Sequence, residues 1–147
     1  MSEEAAVQEV KKKRKPLVTS GKRKKAVAKA TIREGTGKIF INKIPLDRIE
    51  PRYRQLRLKE PLIIAGELAH GVDISVSVKG GGIWGQADAA RTAISNALVQ
   101  WHKSESLKHA YLDYDRMLMV SDSRRTEPHK PSRSTAGPRR SKQQSKR

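Results

Sequence analysis

The chain is 147 residues long and carries 32 Lys and Arg against 15 Asp and Glu, a formal net charge of +17. That length holds one modest domain with tails, and so large a basic excess points to a polyanionic partner. No stretch approaches the run of about 18 apolar residues that a membrane span needs, and the absence of cysteine removes disulfides, thiolate zinc sites and a cysteine nucleophile together.

In chain order, residues 1–17 read as a flexible N-terminal extension. Its acidic start, Met1-Ser2-Glu3-Glu4, has no apolar segment of the secretory kind. The Lys11–Lys15 run fits either a nuclear-localisation-like cluster or an RNA-facing arm. Residues 18–120 form the globular body: 28 of the chain's 30 Leu, Ile, Val and Phe fall within 17–120. Over 24–33, Ala26, Ala28, Ala30 and Ile32 alternate with Lys25, Lys29, Thr31 and Arg33, which predicts a strand with one basic face. Glu34-Gly35-Thr36-Gly37 is a turn signal, and a second strand over 38–42 completes a hairpin. Pro45 opens a short helical stretch through Ile49. A helix over 52–66 follows, with Tyr53, Leu56, Leu62 and Ile63 inward, bent or divided at Pro61 and ended near Gly66.

Val72, Ile74, Val76 and Val78 alternate with Asp73, Ser75, Ser77 and Lys79, a clean strand. Beyond three glycines, Ala90, Ala93, Ile94, Ala97, Leu98 and Trp101 fall at helical spacing over 86–102. Their small side chains imply close packing on a sheet. Ser104 caps a short helix to about Leu112, and Arg116–Val120 reads as a final strand. The order ββααβααβ is α+β, with a four-stranded sheet and helices on one face. Residues 121–147, interrupted by Pro128, Pro131, Gly137 and Pro138, form an extended basic C-terminal tail. It is either a solvated low-complexity end or a contact tail, and its nearly unopposed charge favours contact.

Charge is segregated: 34–120 carry 12 bases against 10 acids, 121–147 carry nine against two, and six bases fall in 22–33. Basic ends on a near-neutral body suit nucleic acid, where each neutralised phosphate releases counterions. Gly80, Gly82 and Gly85 fit G-x-G-x-x-G between a strand and a helix. A dinucleotide fold is excluded because its first strand is buried on both faces. A phosphate-binding P-loop fails because Gln86 and Ala87 stand where Lys and Ser or Thr are needed. The turn remains either a ligand-free connection or a backbone approach surface for an RNA phosphate.

The candidate RNA-binding residues are therefore Lys22, Arg23, Lys24 and Lys25 at the entry, with Lys79, Gly80, Gly81 and Gly82 at the glycine turn. Arg124, Arg125, Lys130, Arg133, Arg139, Arg140 and Lys142 add the tail. His70, His102, His109 and His129 lack metal-ligand spacing. Asp47, Glu50, Asp113 and Asp115 read as caps or ion-pair partners. Trp101 belongs to the core, and Trp84 either stacks or packs. The expectation is no catalysis, no cofactor and no metal. The rivals are a free-standing nucleic-acid chaperone or DNA/RNA-binding protein, and, ranked last, a small phosphotransferase.

The block Gly80-Gly81-Gly82-Ile83-Trp84-Gly85-Gln86-Ala87-Asp88-Ala89-Ala90-Arg91-Thr92-Ala93-Ile94 resembles the signature of the universal ribosomal protein nine family of the small subunit. Gly21-Lys22-Arg23-Lys24-Lys25-Ala26-Val27-Ala28, Glu60-Pro61-Leu62 and Asp122-Ser123-Arg124-Arg125-Thr126-Glu127-Pro128 extend the likeness, the last toward the archaeal and eukaryotic branch. The resemblance covers about Val18 to the C-terminus; Gln144-Ser145-Lys146-Arg147 is nearer the bacterial ending. It implies a left-handed βαβ crossover and assembly on ribosomal RNA beside neighbouring head proteins of a cytoplasmic small subunit. It also implies no membrane and no homo-oligomer, and a tail whose Ser145, Lys146 and Arg147 reach peptidyl-site tRNA.

Overall fold

Five strands build one sheet in the computed structural model, which describes residues 14–126 and Pro128. They are β1 (Leu17–Arg23), β2 (Ala26–Glu34), β3 (Ile39–Ile41), β4 (Ile44–Pro45) and β5 (Val72–Lys79), in the spatial order β1-β2-β5-β3-β4. Three helices accompany them: α1 (Arg52–Ala65), α2 (Ile83–His102) and α3 (Glu105–Tyr114). The α+β class holds, with five strands in place of the expected four.

Two of the five strands are additions, the short β4 and, at the entry, β1. The inward positions of β1 are Thr19 and Gly21, which carry no apolar signal. Thr19 Oγ1 donates to the Ala93 carbonyl at 2.9 Å, and a side chain on Gly21 would run into the backbone of Ala89 and Ala93. The strand thus lies directly on the backbone of α2. The alanines Ala90, Ala93 and Ala97, buried as their spacing predicts, allow that approach together with the buried Ala89.

The expected hairpin between 24–33 and 38–42 does not form. β5 enters between them, antiparallel to β2 and parallel to β3. Asp73 closes the β2–β3 connection instead, accepting from the amides of Thr36 and Lys38 at 2.9 Å each. Alternation predicts the buried face well: Ala26, Ala28, Ala30 and Ile32 of β2 face the core beside Val72, Ile74, Val76 and Val78 of β5. Lys29, Arg33, Ser75, Ser77 and Lys79 lie on the other, exposed side.

Helix α1 departs from the expected facing. Leu58, Pro61 and Ala65 are buried, whereas Tyr53 and Ile63 are 74% and 73% exposed and Leu56 is also outside. Leu62 does pack against the core. Apolar residues occupy both sides of this helix, so its periodicity does not set a phase. Pro61 leaves one continuous helix, and its carbonyl accepts from the buried Tyr111 hydroxyl at 2.7 Å. Ser104 caps α3, accepting from the Leu107 amide. Residues 116–118 form a 3-10 turn rather than a strand. There the Asp115 carboxylate takes the Met117 amide at 2.8 Å, a local cap that competes with extended pairing.

Candidate nucleic-acid interface

The start of β2 and the end of β5 meet at one end of the sheet, where Val27 pairs with Lys22 on one side and Lys79 on the other. This register brings Lys22 and Lys79 to the same end of the open face, with Lys29 one row further in, between Ser20 and Ser77. At the same end, Lys24 turns the chain from β1 to β2 with φ 51°. The glycine turn lies over it. Gly80 and Gly81 have φ of 73° and 68°, a region that favours glycine. A Cβ on Gly80 would stand 2.6 Å from the Lys25 carbonyl, and one on Gly81 2.9 Å from Ala26 Cβ. These two glycines are required by the close stacking of one turn on another. Gln86 Nε2 donates to the Gly80 carbonyl at 3.2 Å and steadies the turn.

The beginning of the tail is fixed to this end by one carboxylate. Asp122 is 6% exposed and pairs with the Arg23 guanidinium. It also accepts the Arg124 amide at 2.8 Å and Arg124 Nε and Nη2 at 3.0 and 2.9 Å. Arg125 Nη1 donates to the Asp122 carbonyl at 3.1 Å. Removing a charge from water is tolerated only with such multiple pairing. Thr126 then comes to rest beside a cleft of about 490 Å³ whose walls include Arg23, Lys24, Lys25, Gly81, Gly82, Trp84, Gly85 and Asp88. Asp88, the carboxylate in that wall, is paired with Arg57 at 3.2 Å and Arg23 at 3.7 Å.

A second ionic cluster lies deeper and locks the helices. Arg91, 2% exposed, donates from Nη1 to Glu60 at 2.5 Å and from Nη2 to Asp115 at 2.7 Å. Burial pushes the Asp115 carboxyl up, but the Met117 amide and the Arg91 guanidinium outweigh it and leave the group below its ordinary value. Arg91 Nε has no protein partner and lines a cavity of about 90 Å³, large enough for water.

Of the sequence-predicted residues, Lys22, Lys24, Lys25, Lys79, Gly80, Gly81, Gly82, Arg124 and Arg125 gather at this end and are exposed. Arg23 is drawn inward by its two carboxylates. Lys130, Arg133, Arg139, Arg140, Lys142, Ser145, Lys146 and Arg147 lie outside the described residues, as do Lys11 to Lys13. Asp115, expected as a cap or ion-pair partner, is both; that Glu60 and Arg91 join it, and that Asp122 anchors the tail, is not distinguishable by sequence pattern, because the pairing spans separate elements. Trp84 is 56% exposed. Trp101 packs against the core with Arg14 over its ring at 5.9 Å.

Among the described residues no three His, Cys, Asp or Glu are grouped to hold a metal, and no helix is long and apolar enough to cross a membrane. The fold and this end of it define a small basic α+β protein with a surface suited to a polyanion. Residues 21–147 match the family model of ribosomal protein S9/S16, and the chain belongs to that family. It is 53% identical over 131 residues, 89% of this chain and 98% of the relative, to the small ribosomal subunit protein uS9 of Methanococcus maripaludis strain C7. The uS9 protein of Methanococcus vannielii matches at the same identity and coverage. That of Methanothrix thermoacetophila is 48% identical over 116 residues, 79% of this chain and 88% of the relative.

Proposed function

We propose that this chain is a structural, non-enzymatic component of the small ribosomal subunit, seated in its head on ribosomal RNA. The observation that carries the reading is the cleft in which residues from three separated basic or glycine-rich motifs, 21–28, 80–94 and 122–128, form one wall. The ribosomal family and the small-subunit relatives support it. In this reading 1–17 is an arm whose last residue, Leu17, already enters β1, 18–120 is the RNA-docking body and 121–147 is a tail launched from the Asp122 anchor. Lys22, Lys24, Lys25 and Lys79 meet phosphates, and the body reads RNA by shape because the A-form major groove is too deep and narrow for side chains. Lys130, Arg133, Arg139, Arg140 and Lys142 extend the contact along RNA, and Ser145, Lys146 and Arg147 reach peptidyl-site tRNA. Neighbouring head proteins complete the seat, the chain acts as a single copy in the cytoplasmic ribosome, and the β3–α1–β5 connection is the left-handed crossover implied by the family resemblance.

Sedimentation of a gentle lysate, before and after a high-salt wash, tests the reading. Co-migration with small subunits that survives the wash is expected. Migration at the top of the gradient, or equal affinity for duplex DNA and unrelated RNA, would leave a free-standing nucleic-acid chaperone. For the tail, deletion of 130–147 is expected to flatten the slope of log K against log salt by about 4 to 5 units if about six bases neutralise phosphates. An unchanged slope contradicts a tail that binds RNA.

A further inference from the structure

We propose that the indole of Trp84 is a stacking platform for an unpaired RNA base, with Lys24 and Lys25 holding the adjoining phosphates. The inference rests on the RNA-docking reading and names what one part of that surface takes.

The chain's two tryptophans lie on the same helix and are treated oppositely by the fold. Trp101 packs on the core, the ordinary place for so large an apolar group. Trp84, at the second residue of α2, is 56% exposed and borders the cleft with Lys24 and Lys25. Neither lysine has a carboxylate partner among the described residues, and Asp88 in the same wall is already paired with Arg57 and Arg23. The face offered to solvent is therefore aromatic and flanked by lysines that no carboxylate among the described residues neutralises. An apolar protein partner has no need of those lysines, whereas a nucleotide needs both features, a π surface for its base and cations for its phosphates.

Gly82 supplies an independent observation. Gly80 and Gly81 are demanded by positive φ and by contact with the Lys25–Ala26 backbone. Gly82 is not: its φ of −99° and ψ of 170° suit any residue, and a Cβ there meets nothing within 4 Å. It caps α2, a position where Ser, Thr, Asp or Asn serve at least as well. Glycine serves as a cap there, and the open space above it leaves a clear path over the turn to Trp84 that a side chain would obstruct. The ligand is a single-stranded or bulged nucleotide because a duplex keeps its base faces inside the stack, and only unstacked bases are free to lie on an aromatic ring.

The test uses the full chain with Trp101→Phe, leaving Trp84 as its sole indole. End-labelled octa-adenylate RNA and a blunt RNA duplex are titrated separately, with anisotropy reporting binding and indole emission reporting stacking. Octa-adenylate is expected to quench Trp84 emission, and the bound duplex to leave it nearly unchanged. In the parent chain, Trp84→Phe retains octa-adenylate affinity, while Trp84→Leu loses it by about tenfold. Gly82→Thr weakens binding while the urea midpoint stays level or rises. Bound octa-adenylate with unchanged emission, or Leu equal to Phe at position 84, would overturn stacking and leave RNA docking standing. An absence of binding to both RNAs by anisotropy would overturn both readings.

Discussion

Two glycine turns cap opposite ends of the β2–β5 pair, and the fold uses them differently. At one end, the turn from Gly35 to Lys38 is closed from within. Asp73 takes the Thr36 and Lys38 amides, and a side chain on Gly35 would collide with that same carboxylate. At the other end, the turn from Gly80 to Gly82 is open. Gly82 faces empty space, and the lysines beneath it carry no partner among the described residues. Glycine-rich sequence alone does not distinguish a turn consumed by its own fold from one left for a ligand. What distinguishes them is whether a neighbouring side chain spends the turn's donors.

The same division separates the cations. Arg91 is spent on Glu60 and Asp115, so Arg91→Leu leaves two carboxylates facing each other and is expected to cost about 3 kcal/mol in urea unfolding, at the low end for a broken buried pair because both carboxylates keep some contact with water. Replacing Lys24 and Lys25 with Gln should leave stability within about 0.5 kcal/mol and weaken RNA binding. A large loss of stability from the lysine pair would break the contrast. The turns divide similarly: Gly35→Ala is expected to cost about 2 kcal/mol through overpacking against Asp73, whereas Gly82→Ala should cost under about 1 kcal/mol as a weaker cap.

Smaller effects sharpen the closed side. Tyr111→Phe loses the bond to the Pro61 carbonyl and should cost about 1 kcal/mol, read from the urea midpoint. The Asp73 carboxyl is held below its ordinary value, first by the Lys38 amide and also by that of Thr36; Asp115 is lowered too. For groups lowered on folding, the stability is present above the unfolded value, about 3.9, and is lost as pH falls through the folded value. Thermal midpoints should therefore be insensitive to these two groups near neutrality and fall below about pH 4. Asp73→Ala should make that acid limb shallower.

Much of this architecture is legible locally. The alternation of β2 and β5 marks their buried faces, the alanine spacing marks α2, and Ser104 marks the start of α3. The misses, the local Asp115 cap at Arg116–Leu118 apart, share a cause, which is that the deciding interactions are distant in sequence. β1 is hidden because its inward residues are Thr19 and Gly21, meaningful only against the backbone of α2. The hairpin expectation fails because β5, more than thirty residues beyond β3, takes the place between its two arms. The facing of α1 is decided by which side meets α2 and α3, and Arg116–Leu118 by an Asp115 cap. The candidate interface is legible as three separate motifs. That Asp122 ties the third of them to the first through Arg23 is visible only in the structure.

The most direct test of the central claim is ultraviolet cross-linking of intact small subunits followed by peptide mapping. Nucleotide adducts are predicted on peptides containing Lys24–Lys25 and on those containing Gly80–Trp84, from the open end of the sheet. Adducts confined to the Gly35–Lys38 end or to the exposed face of α1, with the glycine-turn peptides recovered unmodified, would contradict it.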